Sequence, residues 1–255
     1  MVSSEPSERL TPVPDEYEAE GAWRRDLVLS NPYYRRELEC AMDRVREPRI
    51  QSLLDLGAGF GRASAQLIER SERLILMDGS SRLLGEIRLS PEAASRCLRV
   101  RCDIAAGWPL DSESFDWVIA LQIINHMHDL EAFFSELRRI LTPRGRAILC
   151  MGNSRSWANA SDHLRRMLGA MSRGKNPFRT LSKPAWVRIQ EDGFCRYRPE
   201  NVFAACRANG LVPGLVGGVG LLSPIQSAAW VERVNRHPFL WNLSHLVLFE
   251  CTRAV

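Results

Sequence analysis

The stretch LLDLGAGFGR, residues 53–62, sets glycines at 57, 59 and 61 directly after an apolar run, with Asp55 two residues before the first of them. The run reads as a buried strand. A residue without a Cβ lets the chain turn sharply at positive φ and lets another group press against the main chain. A strand, a glycine-rich turn and a following helix point to a nucleotide-like ligand. The dinucleotide fingerprint G-x-G-x-x-G needs its third glycine where this chain has Arg62, so the register is one residue out. Arg62 itself reads as a surface charge on the first helical turn.

Composition bounds what surrounds that turn. With 255 residues, 45% hydrophobic and 25% charged, the chain has the make-up of an ordinary globular protein with one sizeable core. Its seven cysteines are scattered and form no C-x-x-C pair, so neither a disulfide framework nor a metal site is signalled, and they are expected to be reduced core residues. The net charge of +4 is mild, with Lys175 and Lys183 the only lysines, a usage expected of a GC-rich bacterial genome. No basic block interleaved with aromatics occurs, which argues against nucleic acid as a partner. The polar, acidic start lacks the basic-then-apolar pattern of a secretory signal, so a cytoplasmic protein is expected. Residues 208–231 carry no charge, but Pro213, Pro224 and five glycines rule out a spanning helix there, and the segment reads as a buried strand and a loop.

Periodicity then gives the order of elements. Residues 1–14 are expected to be disordered and 15–48 to form an N-terminal helical lid. Its helix has Asn31 as N-cap, Pro32 at the first helical position, and Tyr34, Leu38, Ala41, Met42 and Val45 on one face. From residue 49 strands alternate with helices: IQSLLDLG, a helix from about Ala63 to Arg70, RLILMD, a helix near Ser81 to Leu89, LRVRCDI and FDWVIALQ. A helix opened by Asp129 and the strand GRAILCM follow. Residues 152–198 break the alternation with arginines and aromatics, the mark of an insertion. A helix over RPENVFAACRANG, a strand at LVPGLVGG, a helix around Ile225 to Asn235 and a closing strand SHLVLFECT complete the chain. Such alternation implies an α/β fold with a mostly parallel sheet and helices on both faces.

The pattern Asp55-Leu-Gly57-Ala-Gly59-Phe-Gly61, followed by WPLDSESFDWVIALQIINHMHD and LRRILTPRGRAILC, resembles class I S-adenosylmethionine-dependent methyltransferases. The resemblance is strong over residues 49–151 and holds by element order near the end. It implies a Rossmann-like seven-stranded sheet with an antiparallel last strand, and S-adenosyl-L-methionine as cofactor. It also implies a binding role for Asp55, Gly57, Ala58, Gly59 and Gly61 in the turn. Asp78, with Gly79 beside it, is implied to accept the ribose hydroxyls. Asp103 and the Ile104 backbone are implied to meet the adenine, with Leu121 and Gln122 at the end of the fourth strand completing the set. Trp108 reads as packing.

Methyl transfer from a sulfonium needs positioning above all, worth roughly 7 to 11 kcal/mol when groups are aligned. No Asn-Pro-Pro-Tyr-type motif follows the fourth strand and no Pro-Cys pair occurs, which removes the nucleic-acid base and glutamine acceptors. The branch resembled is that of quinone-biosynthesis and natural-product enzymes. In that branch the N-terminal helices and the insertion build a pocket for a small-molecule acceptor, with Trp23, Tyr33, Tyr34, Trp157, Trp186 and Tyr197 as candidate lining. Histidine titrates nearest neutrality, so NHMHD at 125–129 offers a candidate base in His126, with His128 one step from the helix cap. Two readings stay open beside this one: a nicotinamide-binding oxidoreductase, and a methyltransferase-like partner subunit without catalysis.

Overall fold

The protein is described here by a computed structural model covering residues 25–26, 28–47, 49–156, 168, 171–173, 187–189, 195–220, 237 and 240–254. One seven-stranded sheet organises it: β1 (Ile50–Leu56), β2 (Ser71–Asp78), β3 (Cys97–Arg101), β4 (Phe115–Leu121), β5 (Leu141–Gly152), β8 (Leu211–Val219) and β9 (Leu246–Arg253). Their order is β3-β2-β1-β4-β5-β9-β8. The first five pair parallel, and β9 runs antiparallel to both β5 and β8. The order reverses between β1 and β4, and in open α/β sheets a ligand crevice opens beyond the carboxyl ends at such a switch point.

The central strands are buried on both faces, so they read as continuous apolar runs. Successive side chains still point to opposite faces. Leu54, Leu56, Val118, Ala120, Ala147 and Leu149 meet one core, with Phe133, Phe134, Leu137 and Ile140 from α5 (Leu130–Ile140) and Val202, Ala205 and Cys206 from α6 (Pro199–Ala208). Leu53, Trp117, Ile119, Ile148 and Cys150 meet the other. Ala41 and Met42 of α1 (Pro32–Met42), Leu67 and Ile68 of α2 (Ser64–Ile68), Leu84 of α3 (Ser81–Glu86) and Ala93 of α4 (Pro91–Ser95) cover that face.

Local signals set the helix starts. Asn31 accepts from Tyr33 N, Ser80 from Leu83 N, Ser90 from Ala93 N and Asp129 from Ala132 N, each satisfying an orphan amide of a first turn. The single helix expected near Ser81 to Leu89 is in fact α3, and α4 follows from a second Ser-Pro start at Ser90 and Pro91. The second expected helix shortens to Ser64–Ile68, most of the loss being at its C-terminal end, where the chain turns into β2 at Ser71. β8 is an edge strand whose Val212 is half exposed, so only its last residues are the buried strand expected. The expected helix around Ile225 to Asn235 lies outside the described residues.

The insertion adds β6 (Val187–Ile189) and β7 (Cys195–Tyr197), an antiparallel pair that its polar composition did not signal. A bridge from Asn153 to Tyr197 fastens β7 to the end of β5. Among the described residues no helix is long and apolar enough to cross a membrane, and the cysteines are free thiols.

Two glycines test how tightly this frame is packed. A Cβ at Gly145 would lie 2.7 Å from the Phe115 carbonyl oxygen, whereas one at the exposed Gly85 in α3 meets nothing within 4 Å. Gly85→Ala should raise the unfolding free energy by about 0.5 to 1 kcal/mol. Gly145→Ala should lower it by about 1 to 3 kcal/mol, because the backbone has to shift. Urea unfolding of both variants reads the opposite signs.

Candidate active site

At the switch point the glycine turn is sewn to β2: Gly57 N and Ala58 N donate to Met77 O at 2.8 and 3.1 Å, and Gly61 N closes back on Ala58 O at 2.9 Å. The three glycines adopt φ of 74°, 54° and 83°, where a Cβ costs about 1 to 2 kcal/mol per residue. Their surroundings differ. A Cβ at Gly57 would stand 2.9 Å from Ile123 Cδ1, and one at Gly61 2.9 Å from Ile87. Those two are bare to admit the protein's own side chains. At Gly59 nothing lies within 4 Å, so its bare backbone faces open space.

Asp78 stands beside that opening, half-buried at the end of β2. Its Oδ2 accepts from Gly59 N at 2.8 Å and its Oδ1 from Ser80 N at 2.9 Å. These two main-chain donors orient the carboxylate beside the turn. Gly79 is buried next to it.

Asp55 lies underneath. Its side chain is buried and accepts Ser64 Oγ at 2.8 Å, bracing the turn against α2. Burial pushes its carboxyl up to about 6 from an ordinary 3.8. Asp78 adds to the rise, while the Ser64 hydroxyl and the Arg62 charge oppose it.

After β3, Asp103 Oδ1 accepts Ala105 N at 2.9 Å in an Asx turn, and the buried Ile104 presents its carbonyl to Trp108 Nε1 at 2.9 Å. The Trp108 ring sits edge-on to Phe133 at 5.6 Å, which makes it packing as expected. Arg139 of α5 ties this loop down by donating to Leu110 O at 2.6 Å and Trp108 O at 3.1 Å.

Beyond Leu121 the chain leaves β4 through Gln122 at φ 67°, a left-handed position without glycine's freedom. The side chain holds it there: Gln122 Nε2 donates to Glu37 Oε1 at 2.6 Å, and Gln122 Oε1 accepts Asn125 Nδ2 at 2.7 Å. Asn125 Oδ1 in turn accepts Gly152 N at 2.8 Å. Arg62 completes the group and corrects the surface reading given above. Its side chain is only 16% exposed, pairs with Glu37 Oε2 at 2.6 Å and donates to Tyr34 O at 2.9 Å. Burial works against the Arg62 charge, but the Glu37 carboxylate outweighs it and raises the guanidinium pKa.

His126 is half-buried at the end of a 3-10 turn, Ile124–His126. His128 is exposed, with Nδ1 3.6 Å from Cys195 Sγ of β7, and Tyr197 Oη donates to Met127 O. The insertion is therefore seated on the His126 segment. Of the expected pocket aromatics, Tyr33 packs on His245 at 5.3 Å and Tyr34 lies under Arg62 at 5.7 Å. Tyr197 is buried, and Trp23, Trp157 and Trp186 lie outside the described residues.

Sequence reasoning missed Glu37 and Asn125. The signal was present in the first: Glu37 falls between Tyr34 and Leu38 on the stripe of α1 that faces the core, and an acid there demands a buried partner.

Residues 54–149 match a family model described as a methyltransferase domain. The chain is 28% identical over 132 residues to demethylmenaquinone methyltransferase of Thermobifida fusca, covering 50% of this chain and 49% of that one. It spans about half the length, or less, of the curated relatives it matches. Among solved structures it resembles a DhpI complex with S-adenosylhomocysteine, with a TM-score of 0.56, 16% identity and 93% of both chains covered. It also resembles the 1,6-didemethyltoxoflavin-N1-methyltransferase of Burkholderia thailandensis, solved with 1,6-didemethyltoxoflavin and S-adenosylhomocysteine. There the TM-score is 0.55 at 15% identity, over 93% of this chain and 85% of that one. At these identities the likeness is one of fold.

Two measurements separate the roles within the turn. Gly61→Ala should destabilise the fold by about 2 kcal/mol or more through φ and the Ile87 contact, while Gly59→Ala should cost only about 1 to 2 kcal/mol. Thermal melts give the ranking, and equal losses would contradict it. The Asp55 proton is held to about pH 6 in the fold but released near 3.8 by the unfolded chain. Its stabilising effect is thus fully present below 3.8 and lost as pH rises through about 6, on the order of 3 kcal/mol. Asp55→Asn should gain stability relative to the parent between pH 4 and 7. A difference constant across that range would assign Asp55 an ordinary titration.

Proposed function

We propose that this chain, which carries a class I methyltransferase domain, binds S-adenosyl-L-methionine at the switch point and methylates a small-molecule acceptor. The observation that carries the reading is the open backbone at Gly59 beside the oriented Asp78 carboxylate, a cradle for a ligand with hydroxyls. The residues present fit that cofactor. Asp78 accepts the ribose hydroxyls, Asp103 and the Ile104 backbone meet the adenine, and Gly57 to Gly61 with Leu121 and Gln122 line the crevice between β1 and β4. When bound, the cofactor supplies a methyl group already activated on a positive sulfur. The protein has to align an acceptor's oxygen, nitrogen or carbon behind it and keep water away.

The acceptor reading is supported by the insertion seated on the His126 segment and by the small molecules in the names of the relatives. Residues 15–48 and 152–198 form its cover in this reading. His126, on the 3-10 turn at the carboxyl edge, takes the acceptor's proton. The cytoplasm is the expected compartment and nucleic acid is not a substrate.

Calorimetry tests the cofactor first. S-adenosylhomocysteine should bind and NADH should not; NADH binding alone would establish the oxidoreductase reading. Asp78→Ala should weaken S-adenosylhomocysteine at least tenfold, since hydrogen bonds to a charged group contribute about 1.5 to 3 kcal/mol each. With labelled cofactor and a panel of small-molecule acceptors, His126→Ala should lower the transfer rate about a hundredfold at unchanged cofactor affinity. A rate within a few-fold of the parent from pH 6 to 9 would remove the base and leave alignment alone.

A further inference from the structure

We infer that Glu37 of α1 is a positioning residue that sets the two lips of the cofactor crevice from outside it. The inference deepens the cofactor reading above and rests on it.

Glu37 has no exposed surface, and each of its oxygens accepts from a different element. One takes Arg62 Nη2, at the exit of the glycine turn that follows β1. The other takes Gln122 Nε2, at the exit of β4. Those are the two strand ends between which the sheet order reverses. The polarity of the network is uniform: Gly152 N–H points to Asn125 Oδ1, Asn125 Nδ2 to Gln122 Oε1, and Gln122 Nε2 to Glu37. Each amide orientation follows from the next one along, and the series ends on the only anion in it.

Two consequences give Glu37 more than an anchoring role for α1. Arg62 stands where its charge also reaches Asp55, the buried carboxyl under the turn. With Glu37 neutral, the guanidinium is drawn toward Asp55 and the brace from Asp55 to Ser64 loosens. Gln122 in turn has a left-handed backbone with its side-chain amide held on both sides, by Glu37 and by Asn125. An isosteric Glu37→Gln replacement cannot accept from both donors, because its own NH2 must face one of them. It therefore disturbs one lip without changing volume. By linkage, a cofactor that binds only the preset crevice strengthens the Glu37 network, and through that network its hold on α1.

The test is calorimetry with S-adenosylhomocysteine on the full chain, beside thermal melts and hydrogen exchange of residues 28–47. Glu37→Gln should weaken binding tenfold or more. Met42→Ala, which loosens α1 in the core without touching the network, should lower the melting temperature comparably and leave affinity within twofold. Cofactor should slow exchange in α1 of the parent and not of Glu37→Gln. Should Glu37→Gln fail to fold, the double variant Glu37→Leu with Arg62→Met replaces the ion pair by apolar groups and keeps the helix docked. It should show the same loss. Affinity within twofold of the parent in the folded network variant, or an equal loss in Met42→Ala, overturns the inference and leaves Glu37 an anchor. No binding by the folded parent overturns the cofactor reading itself.

Discussion

Three left-handed residues within five positions have to be held between β1 and α2, and most of the structure near the switch point serves that constraint. Hydrogen bonds from Gly57 and Ala58 to Met77 fix the turn laterally, and Asp55 fixes it from below through Ser64. Ile123 and Ile87 fill the space that glycine leaves at 57 and 61. What remains is a single bare position at Gly59, with Asp78 oriented beside it by two main-chain amides. The opening is small because the other two glycines serve packing.

The electrostatics follow from the same crowding. Glu37 and Asp55 stand near one buried guanidinium, that of Arg62, and Asp78 adds its charge beside Asp55. Both Nη atoms of Arg62 are occupied, by Glu37 and by the Tyr34 carbonyl, so its charge reaches Asp55 only through space. Asp55 meets burial with a raised pKa, and Asp78 meets its position with solvent access and amide donors. A buried ion pair is weak grounds for stability, since desolvation offsets much of the attraction. Its clearer effect here is geometric: one carboxylate spans elements 25 and 85 residues away in sequence.

The second half of the site is built by the insertion. Tyr197 donates to the Met127 carbonyl and Cys195 lies against His128, so β7 fixes the turn that carries His126. Asn153 joins the same knot by donating to the Asn242 and Ser244 carbonyls. The carboxyl edge at His126 thus depends on contacts between segments that share no sequence pattern.

Alternating strands and helices, the glycine turn and the helix starts at Asn31 and Asp129 were legible in the sequence, because each depends on residues within a few positions. The resemblance of residues 49–151 carried the fold and the cofactor class for the same reason. Three things were decided only by the tertiary structure. Arg62 reads as a surface charge until Glu37 is brought to it from α1. Gln122 carries no local mark of a left-handed backbone, since Glu37, which holds one end of its amide, comes from α1. The three glycines look alike in sequence, and only the approach of Ile123 and Ile87 tells which one is left open. Local sequence fixes backbone preference, whereas a buried charge or an unfilled space is defined by what the rest of the chain brings against it.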